Sequence, residues 1–188
     1  MAEEKKVGVD LGLNDEEKKT LHHIARTVIE NKARKKAVPQ FSIDSSRLKE
    51  NRGAFVSLHK RGQLRGCVGY IEGRGPLHQT IEEMAEAAAF RDPRFTPVAE
   101  KELPALEIEI SVLTPLRKIT DLAEIEVGKH GIYIKKGWFS GLLLPQVATE
   151  YGWDRETFLE NTCQKAGLPT HSWRDKDTEV YIFSADIF

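Results

Sequence analysis

From Asn14 to Lys36 the apolar residues Leu21, Ile24, Ala25, Val28 and Ile29 recur at helical spacing, so this segment lays one stripe on a core. Asn14 followed three positions later by Glu17 has the form of a capping box. The acidic start "NDEEK" and the basic end "NKARKK" each match the sign that the helix dipole favours, which explains the basic cluster without a phosphate ligand. After a polar connection through Pro39 and Ser45-Ser46, "AFVSLH" (54–59) and "QLRGCVGYI" (63–71) read as two strands of a hairpin. A three-residue turn, Lys60-Arg61-Gly62, is predicted there, with Gly62 in the left-handed position where lacking a Cβ costs nothing. Next, "GPLHQTIEEMAEAAAF" predicts a helix with Pro76 at its first position and Leu77, Ile81, Met84, Ala85, Ala88 and Ala89 on one face. Pro93 in "RDPRF" stops it. "LEIEISVLT" (106–114) alternates as a half-buried strand.

Beyond Pro115 the text turns to short strands, "LRKI", "GIYIKKG" and "WFSGLLL", and a smaller lobe is expected within about 115–145. Pro145 opens a short helix. Asp154 caps another that runs to about Ala166, where Gly167, Leu168 and Pro169 end it. "TEVYIFSA" supplies a last strand. The expected fold is α+β, one domain over 1–188, with a mixed or antiparallel sheet covered by helices and divided into a larger and a smaller lobe.

Composition narrows the function classes. With 188 residues, 40% hydrophobic and 30% charged, the chain has the make-up of a folded soluble domain and not of a disordered one. A net charge of -1 supplies no field to gather polyanions, which counts against nucleic-acid binding. "MAEEKKVGVD" lacks the apolar centre of a secretory signal, and no apolar run nears the ~20 residues of a membrane span, so a cytoplasmic protein without membrane attachment is expected. The two cysteines, Cys67 and Cys163, form neither a CxxC pair nor a zinc pattern. No metal site is expected, and the sequence names no cofactor.

Candidate chemistry centres on "LRGCVG". Strand alternation puts Leu64, Gly66, Val68 and Tyr70 on one face and Arg65, Cys67, Gly69 and Ile71 on the other. The three-residue turn pairs Leu58 with Leu64 and Val56 with Gly66, which gathers the apolar residues on the first face. Cys67 then lies away from the apolar stripe with Arg65 about 6 to 7 Å along the strand, where a guanidinium would favour the thiolate. The alternative is a small buried cysteine beside glycines that let a helix approach. Cys163, in register with Phe158, Leu159 and Ala166, reads as core. Of the six histidines, His59 falls about 13 Å from Cys67 in this register, too far to act on it; His78 and His130 remain as candidate bases. Asp92 and Arg94 offer an ion pair to a polar ligand or close a helix with a surface salt bridge. The loop "GYIEGRGP" satisfies neither GxGxxG nor a P-loop, and its glycines read as turn residues. Trp138, Trp153 and Trp173 are expected in core or rim packing.

Taken together, "GAFVSL", "LRGCVG", "AAAFRDPRF", "GKHG", "LLLPQV" and "FLENTCQKAGLP" resemble, in order and over nearly the whole chain, the AMMECR-one domain family, also called AmmeMemoRadiSam system protein A. The resemblance implies an α+β domain of two lobes with the motif residues near a cleft, and no settled reaction. It also implies association with a Memo-like protein and a radical SAM protein in a shared modification pathway. Carried over by motif, the positions to watch are Arg65, Cys67 and His130 as catalytic groups and Asp92, Arg94 and Gln146 as substrate-binding groups. Three readings follow: a small-molecule-binding enzyme or enzyme component around Cys67 and Arg65, a non-catalytic module for a ligand or a partner protein, and a nucleic-acid binder through "KARKK" and "RDPRF".

Overall fold

A computed structural model describes residues 7–188. They divide into two compact units, one spanning Gly12–Leu113 with Ile187–Phe188, the other Thr114–Asp186 with the first described residues up to Leu11. Helices and an antiparallel sheet make up both, an α+β architecture.

The larger unit begins with α1 (Asp15–Ala33). Both arms of the capping box form: Asn14 Oδ1 accepts from the Glu17 N–H at 2.8 Å, and the Glu17 carboxylate accepts from the Asn14 N–H at 2.9 Å. Leu21, Ile24, Ala25, Val28 and Ile29 are buried, as their spacing requires. Strands β1 (Ala54–Lys60), β2 (Gln63–Tyr70) and β3 (Leu106–Leu113) form an antiparallel sheet in the order β2-β1-β3. Phe188 extends it by exchanging two backbone bonds with Ile110. Helix α2 (Leu77–Phe90) follows the hairpin, with Pro76 at its N-cap and not at its first helical position. It lies so close to β2 that a Cβ added to Gly66 would meet the Ala88 carbonyl at 2.2 Å. One face of the sheet is therefore closed by helices over Val56, Leu58 and Ile110, all fully buried.

The β1–β2 connection departs from the predicted register. Its turn has two residues, Arg61 and Gly62, at φ 53° and 73°, and Lys60 pairs with Gln63. Two successive left-handed residues match the right-handed twist of the flanking strands, which a two-residue turn of type I or II does not. Beyond His59↔Leu64 the ladder shifts to Leu58↔Gly66, leaving Arg65 as an extra residue in a β-bulge. The bulge restores Val56↔Val68 on the helix side and turns Leu64, predicted to be core, out to 43% exposure.

In the smaller unit β4 (Arg117–Ile119), β5 (His130–Lys136), β6 (Phe139–Leu143) and β7 (Glu179–Ile187) run antiparallel in the order β4-β7-β5-β6. Helix α3 (Pro145–Glu150) comes next in the chain, then α4 (Arg155–Lys165), capped by Asp154 through the Thr157 N–H. Phe158, Leu159 and Cys163 of α4 pack with Ile132, Ile134, Val180 and Ile182 in one core. Trp153 and Trp173 pack against it, whereas Trp138 at the β5–β6 turn is fully exposed, contrary to expectation. No helix among the described residues is long and apolar enough to cross a membrane.

Candidate functional site

Strand β2 is the outer strand of the larger unit's sheet, so alternate residues turn their N–H and C=O groups away from β1. Cys67 is one of these. Its N–H donates to Asp92 Oδ2 at 2.9 Å and its C=O accepts from Arg94 Nη2 at 3.1 Å. Ser57 and Cys67 are thus a pair without mutual backbone bonds, the kind whose side chains approach most closely. Ser57 Oγ donates to Cys67 Sγ at 3.2 Å.

The clamp grows out of the stop of α2. The Arg91 N–H closes the last helical turn on Ala87, Pro93 forbids a further one, and the chain turns at Asp92 with the Phe95 N–H on its carbonyl. Only 2% of the Asp92 side chain is exposed. Its carboxylate accepts from the Cys67 N–H and from Arg94 three times, through the backbone N–H at 3.1 Å, Nε at 3.0 Å and Nη2 at 2.7 Å. Arg94, foremost, holds the Asp92 pKa down to about 2 against the opposing effect of burial. Arg94 keeps 44% of its side chain exposed, so one edge of the guanidinium is anchored while the rest meets solvent.

The expected partnership of Arg65 with Cys67 does not form. As the bulged residue, Arg65 leaves the alternation of Cys67 and reaches Glu102, with Nε and Nη2 both at 3.1 Å from its carboxylate oxygens. Lys60, which alternates with the helix-side residues Val56 and Leu58, joins the same carboxylate at 2.8 Å. Arg65 thereby faces the opposite side of the sheet from the thiol. Burial, the largest influence, pushes the Cys67 thiol above its ordinary pKa; the hydrogen bond from Ser57 and the charge of Arg94 only partly offset it. The thiol is protonated at neutral pH, not an Arg65-stabilised thiolate.

The other candidates separate. His130 and Gln146 belong to the smaller unit and are buried. His130 Nδ1 accepts from the Glu126 N–H at 3.1 Å, which pins the preceding turn, and burial lowers its pKa. His78 Nδ1 lies 2.9 Å from the Leu48 carbonyl and ties α2 to the 47–49 turn. Arg74 stacks on the Tyr70 ring at 4.2 Å. In place of these, the true register puts Ser57, His59 and Glu109 on the face of Cys67, Ser57 opposite both Cys67 and Glu109. His59 becomes a diagonal neighbour of Cys67 at about 7 Å, not 13 Å. Ser57 and His59 were legible as the polar alternation of "AFVSLH"; the bulge that aligns them with Cys67 was not. No group of three His, Cys, Asp or Glu side chains among the described residues is placed to hold a metal ion.

Comparison with known proteins fixes the family. The AMMECR1 family model matches residues 22–188. The chain belongs to the AMMECR1 family. AMMECR1 relatives include a protein of Methanothermobacter thermautotrophicus, 46% identical over 183 residues that cover 94% of this chain and 95% of that one. Protein TK0174 of Thermococcus kodakarensis is 43% identical over 187 residues, 94% and 91% of the two chains. The crystal structure of uncharacterized protein PH0010 from Pyrococcus horikoshii superposes with a TM-score of 0.89 at 40% identity, covering 93% of this chain and 92% of that one.

Proposed function

We propose that this AMMECR1 protein binds a small polar molecule on the sheet face around Cys67 and works as a cytoplasmic enzyme component. In the AmmeMemoRadiSam resemblance its place is a modification pathway beside Memo-like and radical SAM proteins. The observation that carries the reading is the over-determined placing of Cys67: N–H, C=O and Sγ are each held by a different side chain, Asp92, Arg94 and Ser57. A cysteine that only filled space would need none of these. The half-exposed Arg94 offers donors to the ligand's acceptor groups, and Glu109 lies on the same face for its donor groups. Arg94 takes the role that the sequence assigned to Arg65.

One observation favours a second reading, a binding module without covalent chemistry: burial keeps the thiol protonated. Alkylation of Cys67 against pH, read with and without a small-molecule extract of the host, tests both. Protection by the extract with slow alkylation at pH 7, rising only above the pH of a free model thiol, is expected of a ligand site with a resting thiol. Native mass spectrometry with the same extract reads the variants: loss of binding in Cys67→Ser marks the enzyme-component reading, and retained binding in Cys67→Ser with loss in Arg94→Ala marks the module. Unprotected alkylation with the pH profile of a free thiol sinks both.

A further inference from the structure

We infer that the free edge of β6 is a strand-pairing surface through which two copies of this chain associate antiparallel about Gly141. The inference starts from how the chain treats its sheet edges. On β2 the edge is interrupted by the Arg65 bulge and occupied at Cys67 by Asp92 and Arg94. β4 is three residues long and begins with Arg117 and Lys118, both exposed. Bulges, brevity and charge are the standard means of blunting an edge. β6, Phe-Ser-Gly-Leu-Leu, has none of them: five residues, no charge, no proline, and an unbroken register with β5 from Lys136↔Phe139 to Ile132↔Leu143.

The register says which backbone groups are open. A two-residue turn, Gly137-Trp138, closes on Lys136↔Phe139, so Phe139, Gly141 and Leu143 bond inward to β5, while Ser140 and Leu142 turn their N–H and C=O groups outward. Among the described residues no strand pairs with that side of β6 and no backbone bond reaches Ser140 or Leu142. The strand is braced as a template, because Gly141 lies against the end of α4 so closely that an added Cβ would meet the Ala166 nitrogen at 2.4 Å.

The occupant is a second copy because the edge is complementary to itself. Its outward groups sit symmetrically around Gly141, so a two-fold axis there sets Ser140 of one copy opposite Leu142 of the other and makes about four hydrogen bonds. The same operation brings Phe139, 54% exposed, beside Leu143 of the other copy. An uncharged strand meets itself without repulsion. Next to it Trp138, fully exposed, adds apolar surface at each end of the paired ribbon.

Sedimentation velocity from about 1 to about 100 μM tests the pairing, with Ser140→Pro and Ser140→Lys as variants. Proline removes an outward N–H that β5 does not use, and lysine sets a charge on the edge without touching the backbone. The expected result is a wild-type dimer whose dissociation constant weakens at least about tenfold in both variants at unchanged circular dichroism. Should Ser140→Pro unfold the unit, Ser140→Lys decides alone. A wild type that is monomeric throughout, a dimer that survives the substitutions, or a monomer that takes up an extended peptide of another protein along β6 overturns the inference.

Discussion

Replacing Asp92 by Asn separates the charge of the clamp from its shape. Asn is the same size but uncharged: with its oxygen in the Oδ2 place it still accepts from the Cys67 N–H and Arg94 Nη2, but its NH2 then faces the Arg94 backbone N–H and Nε–H, two donors that lose their acceptor. The folded-state pKa of Asp92 is held at about 2 against an ordinary 3.8, a difference of about 2 kcal/mol. Because the folded value lies below the unfolded one, this contribution is complete above about pH 5, roughly halved near pH 3, and nearly gone at pH 2. Breaking a fully buried ion pair costs about 3–5 kcal/mol. Arg94 is 44% exposed and recovers part of its hydration, so about 2 kcal/mol is expected for Asp92→Asn at pH 7. Urea denaturation of wild type and variant at pH 7 and pH 3 measures it: a deficit of about 2 kcal/mol at pH 7 should shrink to about 1 kcal/mol at pH 3. Equal deficits at the two pH values, or one below about 0.5 kcal/mol at pH 7, would refute the assignment of Asp92 as a charged clamp.

Two further substitutions test the units separately. Gly66→Ala drives a Cβ into the Ala88 carbonyl at 2.2 Å, a backbone contact that yields only if α2 retreats; a loss of about 2–4 kcal/mol and a melting point lower by at least about 5 °C are expected, and an unchanged melting point would deny the close approach. His130 is held neutral, chiefly by burial, below its ordinary pKa of 6.5, so it contributes stability that is present above pH 6.5 and lost as the pH falls from there through its lowered folded value. His130→Asn should flatten the fall in melting temperature between pH 7 and pH 5, and a variant that keeps the wild-type slope would show that His130 does not set it.

Much of the fold was legible because its elements announce themselves locally. The Asn14–Glu17 box, the apolar stripe of α1, the Asp154 cap and the Gly167 stop, at φ 75°, depend on neighbours within a few residues, and each stands where the pattern put it. The site was less legible because its geometry turns on one bulge. Alternation along "QLRGCVGYI" assumes an unbroken period of two, and a bulge is invisible to that count. The signal that was present is Arg61-Gly62 as a tight two-residue turn, combined with the need to keep Val56 and Leu58 on the helix side. Those two constraints conflict unless one residue of β2 is left over, and Arg65 is that residue.

Two of the motifs that carry the family resemblance are halves of one device. "LRGC" contributes an outer strand with a bulge before the cysteine, and "RDPR" contributes a helix stop whose carboxylate and guanidinium fit the outward N–H and C=O of Cys67. The bulge sends Arg65 to Glu102, whose pKa it holds at about 2, and so locks the strand from the helix side. Asp92 and Arg94 lock it along the edge, and Ser57 meets the sulfur on the remaining face. An edge that needed only protection would be served by one lysine. Fixing one cysteine from three directions while leaving its thiol protonated and half-buried makes sense where the sulfur must meet another molecule at a set position.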